Sequence, residues 1–453
     1  MEKQMLRSCL NKLEDKYGML KCDVQVDPKF ELGGVLEKLG NTRPVLFNNV
    51  KGNKMPVIGG MFGDREMFYD FTGTSRKERI FKYMDALTNP IKPKLLSSGP
   101  VKENIIKRNI DLGKFMPIPT FHEYDSSSFI TAGVFVVKDP DTNKVYTSIR
   151  RFQYNGGNNL SALVTSPMLS NQMKELFKQK KKLECAVVLG YDYYFCLASQ
   201  YSSQQYGVDK YEIDGGLRGE PLELVKCETI DLEVPAYAEI VLEGTISYND
   251  EVMEGPFGEL MGYYGQVAKH PVMKVNAILH RNNPILQISA PCKEEHLSNG
   301  IIRDIEVYTH VNRLVECTDV NVTIGGGCRF TAFVNINKKT EGDGKQALIG
   351  ALSSSKDIKH VTVFDEDVDI FDYKDVDGAI ASRVQASKDL FIIPGAMGTG
   401  LDPSHLVDGT TDKVGIDATK PLGEISKVFE KTVIPGYKDI DLKKFFPTVS
   451  NLD

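Results

Sequence analysis

The stretch FMPIPTFHEYDSSSFITAGVFVVKDPD, residues 115–141, decides the fold. Its short apolar runs are cut by Pro, Asp and Ser, the punctuation of β-strands joined by tight turns. The texture continues through KLECAVVLGYDYYF (182–195), VPAYAEIVLEGTISY (234–248) and HPVMKVNAILH (270–280). Such a series fits a barrel or sandwich better than a doubly wound sheet. Towards the N-terminus, Met5, Leu6, Leu10 and Leu13 recur at helical spacing, and RPVLFNNV (43–50) and MPVIGGMFG (55–63) read as strands. Towards the C-terminus, SNGIIRDIEVYTHVNRLVE (298–316) carries Ile301, Ile305, Tyr308 and Val311 on one side of a helix. Beyond it VNVTIGGGCRFTAFVNI (320–336), GDGKQALIGALSSS (342–355) and HVTVFDEDVDIFD (360–372) alternate β and α, as an α/β layer does. The expected architecture is an α/β (α+β) multidomain chain. It has an N-terminal α/β domain (1–115), a central β-barrel (116–298), a connector helix (299–318) and a C-terminal α/β domain (319–453).

A chain of 453 residues with 41% apolar and 26% charged residues has the composition of a globular protein of two or three domains. Its net charge of −6, from 55 basic and 61 acidic residues, argues against general attraction to nucleic acid or anionic membranes. The basic run FKQKKKLE (177–184) reads as the solvated end of a helix. None of the eight cysteines forms a CxxC pair, so buried, reduced thiols in a cytoplasmic chain are expected. The first twenty residues lack the apolar core of a signal peptide, and no apolar run approaches the roughly 20 residues a membrane span needs. Gly325–Gly327 is not followed by Lys-Ser/Thr, which excludes a P-loop, and no GxGxxG opens a helix.

The chemistry concentrates in EVMEGPFGELMGYYG, residues 251–265, where Glu254 and Glu259 flank Gly255, Pro256, Phe257 and Gly258. Pro256 favours extended geometry at Gly255, and Gly258 can take angles closed to other residues. The segment therefore reads as a fixed bend. Either it is a solvated turn, or it aims two carboxylates at one volume, where proximity and an apolar wall raise their proton affinity. Leu260, Met261 and Tyr263 are candidate pocket lining or simply core.

EGPFGE followed by GYYG resembles the signature of the UbiD-type decarboxylases, which use a prenylated flavin. Residues 115–153, ending in TSIRRFQ, resemble that family's approach to its flavin site. YEIDGGLRGEPLELVKCETIDLEVPAYAEIVLEG (211–244), the stretch from Val361 to Leu390, and TDKVGIDATKP (411–421) match further family motifs in order. The resemblance runs from about residue 30 to residue 425.

It implies a central barrel like that of flavin reductases. It further implies reversible, non-oxidative decarboxylation of an aromatic, heteroaromatic or α,β-unsaturated acid through a prenylated-flavin adduct. Arg151 would hold the substrate carboxylate, Glu259 would deliver the proton and Glu254 would complete the network. Only one of Arg150 and Arg151 should reach the pocket from an extended strand. Ser148, Ile149, Arg151, Glu212 and Lys413 would hold the cofactor, with Glu212 on a divalent metal (Mn or Mg) and Lys413 near the flavin phosphate. His296 would orient a polar substrate group, whereas His122 reads as structural. A separate flavin prenyltransferase would supply the cofactor, and a homodimer or homohexamer is implied. The family's asparagine and histidine metal ligands correspond here to Tyr146 and Leu169 unless Asn143, Asn155 or Asn158 fills the gap. Potassium or other cations would then share the phosphate. These two departures favour an alternative, a paralogue without active flavin serving as a subunit of a larger carboxylase assembly. The three retained charges Arg151, Glu254 and Glu259 favour the enzyme.

Overall fold

A computed structural model describes residues 4–139, 144–162, 167–202, 206–291 and 294–447. Within residues 115–141, Phe129–Lys138 form β6, an inner strand of a seven-stranded sheet. Alternate residues of β6 enter two different cores. Ala132, Val134 and Val136 face one, and Ile130, Phe135 and Val137 face the other. A strand buried on both faces reads as a continuous apolar run, which is why FITAGVFVV shows no polar alternation.

The sheet runs β12-β9-β6-β7-β8-β13-β5, with β7 Val145–Tyr154, β8 Asn159–Ala162, β9 Leu183–Leu189, β12 Ile240–Glu254, β13 Ala268–His280 and β5 Asn104–Ile106. β12 also pairs with β13, so the sheet closes on itself. Three shorter strands, β4 (Lys94–Leu95), β10 (Glu223–Lys226) and β11 (Glu233–Pro235), form a separate small sheet.

The N-terminal sheet is β1 (Leu20–Cys22), β2 (Val45–Phe47), β3 (Val57–Gly59) and, from far along the chain, β14 (Leu286–Gln287). Residues 104–106 thus serve the central sheet and residues 286–287 the N-terminal one, so the expected limits at 115 and 298 are crossed in both directions. The C-terminal sheet, β15-β16-β17-β19-β18, comprises β15 Cys317–Val322, β16 Thr331–Ile336, β17 His360–Asp365, β18 Leu390–Met397 and β19 Thr410–Asp417. Gly325–Gly327 form the turn between β15 and β16.

The long helix spans Glu294–Asn312, beginning and ending a few residues earlier than expected. Leu297, Ile301, Ile302 and Ile305 join the central core, and Val307, Tyr308 and Val311 join the C-terminal one. This helical stripe ties the two parts together. Asp304, fully buried on it, accepts from Arg65 Nη1 at 2.7 Å, from Arg79 Nε at 3.3 Å and from the Val322 amide at 2.7 Å. Asp304→Ala should therefore lose about 3–5 kcal/mol of unfolding free energy by leaving two buried guanidinium groups under-paired. Urea denaturation measures this, and an unchanged midpoint would show that the arginines find other partners.

The seven described cysteines are free thiols, five of them buried; Cys292 lies outside the described residues. Among the described residues, no helix is long and apolar enough to cross a membrane.

Candidate active site

The register of β6 against β7 steps from Ile130↔Phe152 to Gly133↔Arg150, so Thr131 and Ala132 together oppose Arg151. A bulge of this kind re-aims the side chains around it. Ile149, Arg150 and Arg151 consequently all border one cavity. The expectation that only one arginine would reach it assumed strict alternation, which the bulge breaks.

Glu254 is the last residue of β12 and is fully buried. Arg151 Nε donates to Glu254 Oε1 at 2.8 Å and Nη2 to Oε2 at 3.0 Å, a bidentate pair. Arg151 Nη1 pairs with Glu259 Oε1. The guanidinium lies 4.9 Å from the centroid of the Phe257 ring, which is itself buried against Phe129. Glu259 keeps 15% of its side chain exposed and lines the cavity. One carboxylate is sealed and the other open, although both share the same arginine.

The bend between them is held by side chains the sequence reading passed over. Gln153 Oε1 accepts from the Gly255 amide at 2.9 Å, and its Nε2 donates to the Met253 carbonyl at 3.2 Å. Asp125 accepts from the amides of Phe121, His122 and Gly258. The two glycines exchange the roles expected for them. Gly255, in a cis bond to Pro256, has φ +89°, where side chains are disfavoured. Gly258 is required for space, since a Cβ there would lie 2.3 Å from the His122 ring. His122 is thus part of the bend's support.

The cavity measures about 460 Å³ and lies between the barrel and the C-terminal domain. Phe257, Glu259 and His270 line it on the barrel side, His296 and Asn299 of the long helix border it, and Arg329, Lys356 and Asp357 face it from the C-terminal domain. Burial lowers the His270 pKa and favours its neutral imidazole. Burial opposes ionisation of Asp357, but Arg303 and Arg329 outweigh it and hold the carboxyl below its ordinary value. Arg329 Nη1 donates to Asp357 at 2.7 Å. His270, Asn299, Arg329, Lys356 and Asp357 were not singled out from sequence, because they meet only when three distant segments fold together.

Several expected site residues are elsewhere. Leu260 and Met261 turn from the cavity and pack where a Cβ on Gly327 would touch both; Met261 takes φ +71°. Tyr263 is exposed. Lys413 lines a second cavity of about 540 Å³, and its Nζ donates to the carbonyls of Leu352 and Ser355, both at 2.9 Å. Those carbonyls at the end of helix Asp343–Ser354 attract the ammonium. Lys356 borders both cavities.

Glu212 stands half-buried in the first turn of helix Lys210–Arg218, and the residue reaching β7 is Lys210. Positions two apart lie on nearly opposite sides of a helix, so Lys210 and Glu212 cannot face the same strand. The sequence held this signal, since Lys210 shares a stripe with Ile213, Asp214 and Leu217, all buried. Burial draws the Lys210 ammonium down to about 8.

The donor set does not fit a divalent metal. Leu169 is fully buried in the apolar core against which Tyr146 also packs, and the described residues contain no group of three or more His, Cys, Asp or Glu able to hold one. Asn155 donates to Ser161 and Asn158 to the Val275 carbonyl, while Asn143 lies outside the described residues.

A flavin fits better. The volume lies within the roughly 300–1,000 Å³ of small-molecule and cofactor sites. Apolar walls alternate with cations, and Ser148 Oγ and Arg329 Nε are buried with no partner among the described residues.

An interdomain cavity with an arginine shared by one sealed and one open carboxylate is an arrangement able to hold an anion and to move a proton. The chain belongs to the UbiD family of carboxy-lyases. Its residues 10–87, 94–294 and 296–418 match the N-terminal, Rift-related and C-terminal domains of 3-octaprenyl-4-hydroxybenzoate carboxy-lyase. It is 35% identical over 431 residues to the anhydromevalonate phosphate decarboxylase of Methanosarcina mazei, covering 95% of this chain and 99% of that one. The enzyme of that name from Methanothermobacter thermautotrophicus is 34% identical, with 93% and 98% covered. Among solved structures, the UbiD-class enzyme HmfF from Pelotomaculum thermopropionicum in complex with FMN superposes with a TM-score of 0.94 at 41% identity, over 97% of this chain and 99% of that one. An evolved dimeric form of the same enzyme, in complex with prFMN, gives 0.90 at 38% identity, over 98% and 100%. The chain is accordingly a decarboxylase of mixed α/β multidomain fold.

Proposed function

We propose that the chain decarboxylates a small α,β-unsaturated or heteroaromatic acid that carries a second anionic group, with a prenylated flavin bound in the interdomain cavity. The observation carrying this reading is the Arg151–Glu254–Glu259 cluster, graded from sealed to open at the cavity wall. A second support is charge, since Arg150, Arg151, Arg329 and Lys356 border the cavity against only Glu259 and Asp357. That excess suits a cofactor phosphate and a dianionic substrate together. The relatives named for a phosphorylated acid support the same class.

When bound, the prenylated flavin supplies the electron sink for the carbon that loses CO2. Ser148, Ile149 and Arg150 would flank it from β7, with Arg329 and Lys356 facing its anionic end. Arg151 presents a planar fork that a substrate carboxylate can share. As the substrate takes over Arg151 Nη1, Glu259 loses its partner in a half-dry cavity, which raises its affinity for a proton. Glu259 then returns that proton to the carbon, while Glu254, still paired on two atoms, keeps Arg151 in place. His296 is suited to hold the substrate's second polar group. The buried thiols fit a reducing, cytoplasmic setting. Exposed apolar side chains at the C-terminal edge, among them Met397, Val433, Ile434 and Phe445, support a homo-oligomer.

Co-production with a flavin prenyltransferase, followed by visible spectroscopy and CO2 release or deuterium exchange on a panel of acids, tests the reading. Turnover is expected on unsaturated acids bearing phosphate or a second carboxylate, ahead of hydroxybenzoates. A colourless protein that exchanges no label would favour the assembly-subunit alternative.

A further inference from the structure

The most unusual buried group outside the arginine–glutamate cluster is the Lys210 ammonium. The residue is 4% exposed, and its Nζ donates to the carbonyls of Thr147 at 2.6 Å and Ser199 at 2.8 Å. It lies 5.0 Å from the centroid of the Tyr146 ring. Asp209, the residue before it, caps its helix and accepts from the Val145 amide at 2.7 Å, which fixes that helix to the start of β7. Thr147 directly precedes Ser148, whose hydroxyl is buried without a partner among the described residues, and Ile149, which borders the cavity. Ser199 directly precedes Gln200, which also borders it. The ammonium therefore links two cavity-forming segments through their carbonyls, directly behind the wall.

A bound cation can do the same work, because carbonyl oxygens coordinate cations and the positive charge would balance a phosphate bound near them. The oxygen and nitrogen ligands needed to bring in a divalent ion are missing here, because Tyr146 and Leu169 stand at the corresponding positions and Glu212 turns away. A fixed ammonium would also repel an incoming Mn²⁺ or Mg²⁺.

We infer that Lys210 is a built-in cation that takes the place of the divalent metal at the phosphate end of the flavin site, so that this chain binds its flavin without divalent metal. The inference rests on the flavin reading given under Proposed function.

FMN is the probe. Its affinity for the purified full-length protein is measured by fluorescence quenching in EDTA and in excess MnCl2 or MgCl2, and the flavin-loaded protein is assayed for metal. The expected result is the same affinity within about twofold in every condition, with no stoichiometric metal. Lys210→Met should weaken FMN binding about tenfold or more, the loss of one charge-assisted interaction, with no rescue by Mn²⁺. Lys210→Arg, which keeps the charge, should recover part of it. A wild-type affinity that rises tenfold with Mn²⁺, one metal ion per chain, or wild-type affinity in Lys210→Met would each overturn the inference. If Lys210→Met fails to fold, the wild-type comparison still decides. Absence of FMN binding in all conditions would instead overturn the flavin reading itself.

Discussion

Glu259→Gln should reduce kcat by about 10²–10⁴-fold while leaving the flavin bound, the range expected for removing a positioned general acid. The amide matches the carboxylate in shape and can still accept from Arg151, so the bend and the cavity wall stay in place. What it cannot do is carry a proton to carbon. The discriminating measurements are single-turnover CO2 release and deuterium exchange on the flavin-loaded variant, beside its visible spectrum. Full activity would remove Glu259 as proton donor, whereas loss of the flavin spectrum would mean that it serves binding instead.

Arg151→Met should have the second large effect, on stability as well as activity. Glu254 is fully buried and both of its oxygens are taken by this one guanidinium. Removing the arginine strands a carboxylate inside the protein, at about 3–5 kcal/mol. The double variant Arg151→Met with Glu254→Met should regain most of that stability, because an apolar pair of similar volume replaces the buried ion pair, but none of the activity. Urea denaturation of the four proteins forms a double-mutant cycle whose coupling energy is read directly. A singly substituted protein as stable as wild type would show that water or His270 already compensates Glu254.

How far the sequence reached is clearest at individual residues. EGPFGE signalled both glutamates and their bend, since a Gly-Pro kink between two acids is local information. The arginine was legible through its motif, yet its neighbour was misjudged, because the bulge in β6 belongs to another strand. Lys413, expected near the flavin phosphate, instead satisfies carbonyls ending a helix of its own domain. Glu212 is assigned to a metal by the family resemblance alone, whereas helical spacing puts Lys210, two residues earlier, on the buried stripe.

The family, the mixed α/β architecture and the candidate charges Arg151, Glu254 and Glu259 are legible in the sequence alone, because they follow from motifs a few residues long and from strand and helix periodicity. Which groups share the cavity is fixed by the folding of distant segments onto one another. Arg329, Lys356, His270 and Asn299 are far apart in the chain. What joins them is the closing of β12 on β13, the bulge beside Arg151 and a helix with one half in each of two cores. Those are long-range pairings, whose partners no single stretch of sequence can name.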